Sequence, residues 1–508
     1  MKKSQLNSGV ILNYVYIVLV NVSSIIVTPL LNKTTGVMYG VFILAYTISI
    51  YFAMNEFAVG NIIIRYITKY RSLNDREKEE NFLAHSVFVY LILMVFTLVC
   101  LVLFYFNIGL FFGKSLNVAE LSLLRKLFIF VMLNTSFLFV QNYLLSVITG
   151  YERFIFSRAI NIVKLCLRVG GIALIFVYRL GAVGVFALDL SLTVGGIFVL
   201  IFYTFHVLKV RIRLISYTKA LVFKLLKLSS FIYIAFIIEN LFFNLGSLML
   251  GAMVGTEATG VYYIAVTFCN ILFMLSGTIV ALSLPGVTRS LTENPSKENA
   301  TGSIVPMGRI QVLVITIFTI GFVFFGRKFI LLWLGWDFYG AYDAACVILA
   351  GIVPAMYLSM GDTVLQAKNL HFYRLISGIF TVAAGAMSTY IFIRFFGLGL
   401  MGAALGLLVS TIVGKLTALT VIYVKKGGLN LPEYLKRTLF GAIIPAVITV
   451  AAALALTLLI RADGIAVFLA ECLIVIAVYA VSCWLFYLNK DEKHTIKGMI
   501  PFLRGFRR

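Results

Sequence analysis

Asn161, Lys164 and Arg168 stand three and four residues apart inside an apolar run from about 159 to 178. That spacing puts an amide and two cations on one helical face. A charge near the bilayer centre costs roughly 2.5–3.5 kcal/mol on insertion scales, so these side chains must face protein or water. Two arrangements meet that demand. Acids on neighbouring spans can neutralise the cations as structural pairs, or the face can act as a cationic wall holding an anionic group. In the second case arginine grips phosphate oxygens bidentately and lysine acts as a point charge. Lys415 is the third cation inside an apolar run, and Gln141 and Asn142 add amides suited to sugar hydroxyls or to interhelical hydrogen bonds. Arg65 and Arg158 sit at span ends, where head-group capture and the ordinary positive-inside bias are both open.

Five acids lie in or near apolar runs: Glu56, Asp189, Glu239, Asp362 and Glu471. They outnumber the intraspan cations. Some must pair with them, because an isolated buried carboxylate takes up a proton instead. Proton uptake is also what an ion-coupled carrier uses. Glu239, followed by Asn240, Asn244 and Ser247, and Asp362, flanked by Ser359 and Gln366, are the best placed for coupling to a proton or sodium gradient. Glu56 and Asp189 are further candidates.

The elements that position these groups follow from composition. Of 508 residues 61% are hydrophobic and 12% charged, with a mean hydropathy of +1.03. This is an all-α, polytopic membrane protein. About fourteen apolar runs suit a hydrocarbon core of about 30 Å: 8–31, 37–60, 83–106, 126–149, 159–178, 182–206, 229–253, 260–285, 310–326, 344–366, 375–396, 399–424, 438–460 and 465–488. With the N-terminus inside, roughly thirty of the 42 Lys and Arg fall on the cytoplasmic side and about nine outside, which puts both termini in the cytoplasm. The net charge of +22 therefore reflects topology and not nucleic-acid binding. Much of it lies in the basic segments 62–81 and 207–227, which suit the anionic inner leaflet. The first apolar stretch, too long for a signal peptide and without a small-residue cleavage site, reads as an uncleaved span.

Enzyme chemistry finds no support. The six cysteines fall within expected spans and form no Cys-x-x-Cys pair, the four histidines lack ligand spacing, and no Ser/His/Asp set stands out. The segment Gly109–Ser115 is one residue short of a nucleotide-binding loop and has no preceding strand. No metal or cofactor is expected.

An internal repeat is visible. Thr35-Gly36-Val37-Met38-Tyr39 matches Thr259-Gly260-Val261-Tyr262-Tyr263, and Leu180-Gly181-Ala182-Val183-Gly184 matches Leu398-Gly399-Leu400-Met401-Gly402. Six spans per copy make the halves parallel, related by an axis along the membrane normal. The expected organisation is an N-terminal lobe over 1–228, a C-terminal lobe over 229–437, and two extra helices with a basic tail over 438–508.

Asn13-Tyr14 with Pro29-Leu30, Tyr39-Gly40, and Gly150-Tyr151-Glu152-Arg153-Phe154 together resemble the polysaccharide-transporter branch of the multidrug/oligosaccharidyl-lipid/polysaccharide exporter superfamily, which includes O-antigen and capsule-repeat flippases. The resemblance implies two six-helix lobes plus a trailing pair. It also implies ion-driven movement of undecaprenyl-diphosphate-linked oligosaccharide from the inner to the outer leaflet of a bacterial cytoplasmic membrane. Glycan-assembly membrane proteins are the implied protein partners. Charged cavity residues of the family match here by span at Glu56, Asp362 and Lys415. Where the family expects an arginine in span four, Gln141 and Asn142 stand instead. Two rivals remain: a drug exporter of the sister branch, favoured by an acidic cavity, and a glycan polymerase or ligase, which needs a larger outer loop than this sequence offers.

Overall fold

A computed structural model describes residues 3–53, 55–294, 296–460, 464–490 and 492–493; side chains are left undescribed over much of the first helix, over 53–59 and at a few other positions. The described chain is helical and contains no strand. It divides into two compact units, Met1–Tyr263 and Ile264–Arg508.

The first unit contains α1 (Lys3–Thr35), α2 (Tyr39–Ala53), α3 (Asn55–Ser72), α4 (Arg76–Phe112), α5 (Val118–Gly150), α6 (Phe154–Tyr178), α7 (Gly181–Phe202) and α8 (Lys219–Met253). α9 (Thr256–Glu293) crosses the boundary. The second unit continues with α10 (Lys297–Leu334), α11 (Gly340–Leu358), α12 (Gly361–Ala367), α13 (His371–Arg394) and α14 (Gly399–Ser410). A π-helical stretch, Thr411–Leu419, follows, then α15 (Thr420–Ile422), a second π stretch, Tyr423–Gly427, and α16 (Leu431–Thr438), α17 (Ile443–Leu459) and α18 (Ile465–Phe486).

Among the described residues twelve helices are long and apolar enough to cross a membrane, and the shorter Tyr39–Phe52 is apolar too. The chain is a multi-pass membrane protein. Several helices outrun the apolar stretches that announce them. α4 begins at Arg76 and not near 83, because Asp75 caps it by accepting the Lys78 N–H at 3.1 Å. Asn117 and Glu120 close a capping box at the start of α5, which trims the expected loop of 107–125 to five residues. Each such cap is worth about 1 kcal/mol.

Lipid tails are as apolar as leucine, so close backbone approach and interhelical hydrogen bonds must hold the helices together. The seam of α13 with α14 and the π stretch shows both. A Cβ at Gly406 would overlap Thr389, and one at Gly414 would overlap Thr381. Across this seam Ser410 donates to the Thr381 carbonyl at 2.6 Å, and Ser377 to that of Gly414 at 3.0 Å. In the first unit α5 packs on α2, α3, α4 and α7, α6 on α1 and α7, and α8 on α2, α3 and α4. α8 opens the stretch that the sequence assigns to the C-terminal lobe.

The second repeat match survives as backbone geometry. Arg179, Leu180 and Gly181 have φ values of 54°, −77° and 64°; Gly397, Leu398 and Gly399 have 64°, −76° and 47°. Both corners run left-handed, right-handed, left-handed before the next span begins. Glycine at 181 and 399 takes the left-handed conformation without steric cost.

Candidate functional site in the spans

The face expected on α6 is present and is met by two other helices. Lys164 and Arg168 lie near the middle of α6, opposite Asp189 and Thr193 on α7 and Gln141 on α5. Arg168 makes a two-pronged ion pair with Asp189: Nε donates to Oδ1 at 2.6 Å and a terminal nitrogen to Oδ2 at 3.1 Å. Both side chains remain about a quarter exposed. The fork geometry explains the choice of arginine, since lysine could not satisfy both carboxylate oxygens.

Lys164 meets two neutral acceptors. Its ammonium donates to Gln141 Oε1 at 3.0 Å and to Thr193 Oγ1 at 3.1 Å. The Thr193 hydroxyl donates in turn to the Asp189 carbonyl at 2.8 Å, which leaves its lone pairs for Lys164. Gln141 and Thr193 are buried, so this cradle is fixed by packing. Lys164, Arg168 and Asp189 together carry one net positive charge. Such a cluster can hold an anion, and Asp189 limits how strongly. Asn161 and Asn142 are half-buried, and Arg65 is an exposed residue on α3.

The second unit places Lys415 on the π stretch, with its ammonium 4.3 Å from the centre of the Phe273 ring. π-Helical insertions are frequent at functional positions. Asp362, at the start of α12, accepts from the Tyr423 hydroxyl at 2.9 Å and faces Arg374 Nε at 3.8 Å. Glu471 on α18 is buried and receives Lys328 of α10 at 3.1 Å. At least three of the five acids thus have cationic partners. Glu239 is exposed on α8, and the Glu56 side chain lies outside the described residues.

Sequence reasoning missed a buried polar node beside Asp362. Gln311 of α10 donates to Ser276 at 2.7 Å and to Ser359 at 2.9 Å, while its carbonyl oxygen is buried without a hydrogen-bond partner among the described residues. A glutamine within the apolar run 310–326 was the available signal. Arg374 was passed over because it directly precedes the expected span and reads as a connecting cation.

The fold and these intraspan clusters define a multi-pass helical membrane protein with charged groups held inside its bundles. Its fold is that of MurJ and of MATE transporters. A lipid II flippase MurJ in an inward closed conformation matches with a TM-score of 0.68 at 16% identity, over 94% of this chain and 98% of that one. An inward-facing multidrug resistance MATE family transporter of the MOP superfamily matches with a TM-score of 0.63 at 17% identity, over 81% and 95%. By sequence, the uncharacterized membrane protein EpsK of Bacillus subtilis (strain 168) is 23% identical over 504 residues, covering 93% of this chain and 94% of its own length. No family model matches the chain.

Proposed function

We propose that this protein is a flippase that carries an undecaprenyl-diphosphate-linked oligosaccharide from the inner to the outer leaflet of a bacterial cytoplasmic membrane. Both termini face the cytoplasm, and an ion gradient drives the cycle. The observation that carries this reading is the net positive cluster of Gln141, Lys164, Arg168, Asp189 and Thr193 at mid-span. A diphosphate needs cations and amide or hydroxyl donors held in place within a low-dielectric bundle, where they act more strongly than in water. Lys415 is a further cation within a span, in the second unit. The likeness in fold to a lipid II flippase supports a lipid-linked cargo.

The rival drug-exporter reading rests on intraspan acids that attract organic cations. Asp189, Asp362 and Glu471 face Arg168, Arg374 and Lys328, so much of that acidity is already neutralised. Deleting the gene and identifying the undecaprenyl-linked intermediate that accumulates on the inner leaflet tests the proposal. Normal surface glycan together with lost drug resistance would overturn it.

A further inference from the structure

Three connections converge on one cavity in the first unit. The end of α3 with the start of α4, the Tyr151-Glu152-Arg153 corner after α5, and the segment after α7 enclose a space of about 800 Å³. Its walls carry five cations, Arg71, Arg76, Arg153, Lys209 and Arg211, against three acids, Glu79, Glu80 and Glu152.

The acids are partly engaged. Glu79 lies 3.6 Å from Arg71, whose guanidinium also sits 3.9 Å over the Tyr151 ring, and Glu80 lies 3.9 Å from Arg213. Arg76, Arg153, Lys209 and Arg211 have no acidic partner among the described residues and face a single remaining acid, Glu152. The convergence is built in. Gly150 lets the end of α5 close on Ile67 of α3, where a Cβ would sit 3.0 Å from the isoleucine side chain. Two wall residues, Glu152 at φ 61° and Lys209 at φ 53°, hold left-handed backbone that is disfavoured for a non-glycine residue. Strain of this kind persists where the surroundings impose a geometry.

We infer that this cavity is a binding site for a phosphoryl group, supplied either by the headgroup of an anionic phospholipid or by a soluble phosphorylated compound. Arginine forks and a lysine around a concave wall match the oxygens of a phosphate or diphosphate. The site stands apart from the intraspan clusters and does not depend on the transport activity proposed above.

Purified full-length protein in phosphatidylcholine nanodiscs, titrated separately with pyrophosphate and with dioctanoyl phosphatidic acid, tests the inference. The triple variant R153Q/K209Q/R211Q is expected to weaken binding by about tenfold or more, since it removes three cations that can make charge-assisted bonds to the phosphoryl oxygens. R153K/K209R/R211K keeps the charge and retains most of the affinity, which separates lost binding from lost folding. K224Q/K227Q, two exposed lysines of α8 outside the cavity, leaves affinity within about twofold of the parent. Loss of both probes in the triple variant supports a phosphoryl site open to soluble anions. Binding of phosphatidic acid alone, with the same loss, supports a lipid headgroup. Absence of binding, an unaffected triple variant, or an equal loss in K224Q/K227Q overturns the inference.

Discussion

Breaking the Arg168–Asp189 pair one side at a time should cost more than removing it whole. Two unit charges about 4 Å apart attract by about 4 kcal/mol at an effective dielectric near 20. Each partner is about a quarter exposed, so solvent screens part of this and desolvation consumes more, leaving about 2 kcal/mol of net coupling. Asp189→Asn strands a guanidinium among helices, and Arg168→Gln strands a carboxylate. Each single change is therefore expected to destabilise by about 2–3 kcal/mol. The double variant R168Q/D189N should cost no more than either alone. Reversible unfolding of the four proteins in detergent micelles, read as a double-mutant cycle, gives the coupling directly. Costs that simply add, within about 0.5 kcal/mol, would show that the pair is not energetically linked and refute the argument.

Lys328→Met should destabilise by about 3–5 kcal/mol by leaving the buried Glu471 carboxylate unpaired, and K328M/E471L should recover most of the loss in melting temperature. Lys164→Gln is expected to lower glycan export about tenfold or more with normal membrane insertion, while Lys164→Arg retains part of it; unchanged surface glycan in K164Q would count against the cationic cluster as a cargo site. Gly414→Val should cost about 1–3 kcal/mol or more through overlap with Thr381, and Thr381→Ala in the same chain should leave most of that cost, since the overlap includes the Cα and Cβ that alanine keeps; melting curves would show both. Burial alone would raise the Glu492 carboxyl, but hydrogen bonds from Arg309 and the Asn489 N–H outweigh it and hold the pKa below the ordinary 4.5. A depressed carboxylate stabilises above its unfolded pKa and loses that contribution as pH falls through the folded value. The contact of Glu492 with Arg309 should therefore loosen as the pH falls below the ordinary carboxylate value, and Glu492→Gln should abolish this dependence in hydrogen exchange.

The helices were legible because a bilayer demands long apolar runs, and those runs mark their own centres. Their ends were less so. Asp75 and Asn117 cap helices well outside the apolar stretches, and polar caps carry no hydropathy signal. On α6 the spacing of Asn161, Lys164 and Arg168 pointed to one face, and on it Arg168 meets an acid while Lys164 meets an amide and a hydroxyl among its contacts. Partner choice depends on which spans adjoin, which one sequence does not reveal. The same limit hid Tyr423 and Arg374 as partners of Asp362, since they lie 61 and 12 positions downstream. The corner at 179–181 and its counterpart at 397–399 were traceable because left-handed backbone favours glycine, which leaves a mark in the sequence.

The widened turns between Thr411 and Gly427 set an unusual condition on this chain. A π turn holds one residue more than the α-helical ladder requires. Deleting one residue from the Thr411–Leu419 stretch would let its α-helical ladder close, yet leave everything beyond it facing nearly as before, because the wider turn already absorbs the extra residue. Tyr423 would stay on Asp362, whereas the same deletion in the regular helix α14 would swing all that follows by about 100°. Length variation is thus tolerated at this place: a relative one residue shorter there would conserve both the crossing and the side chains it points inward, and lose only the widened turn around Lys415.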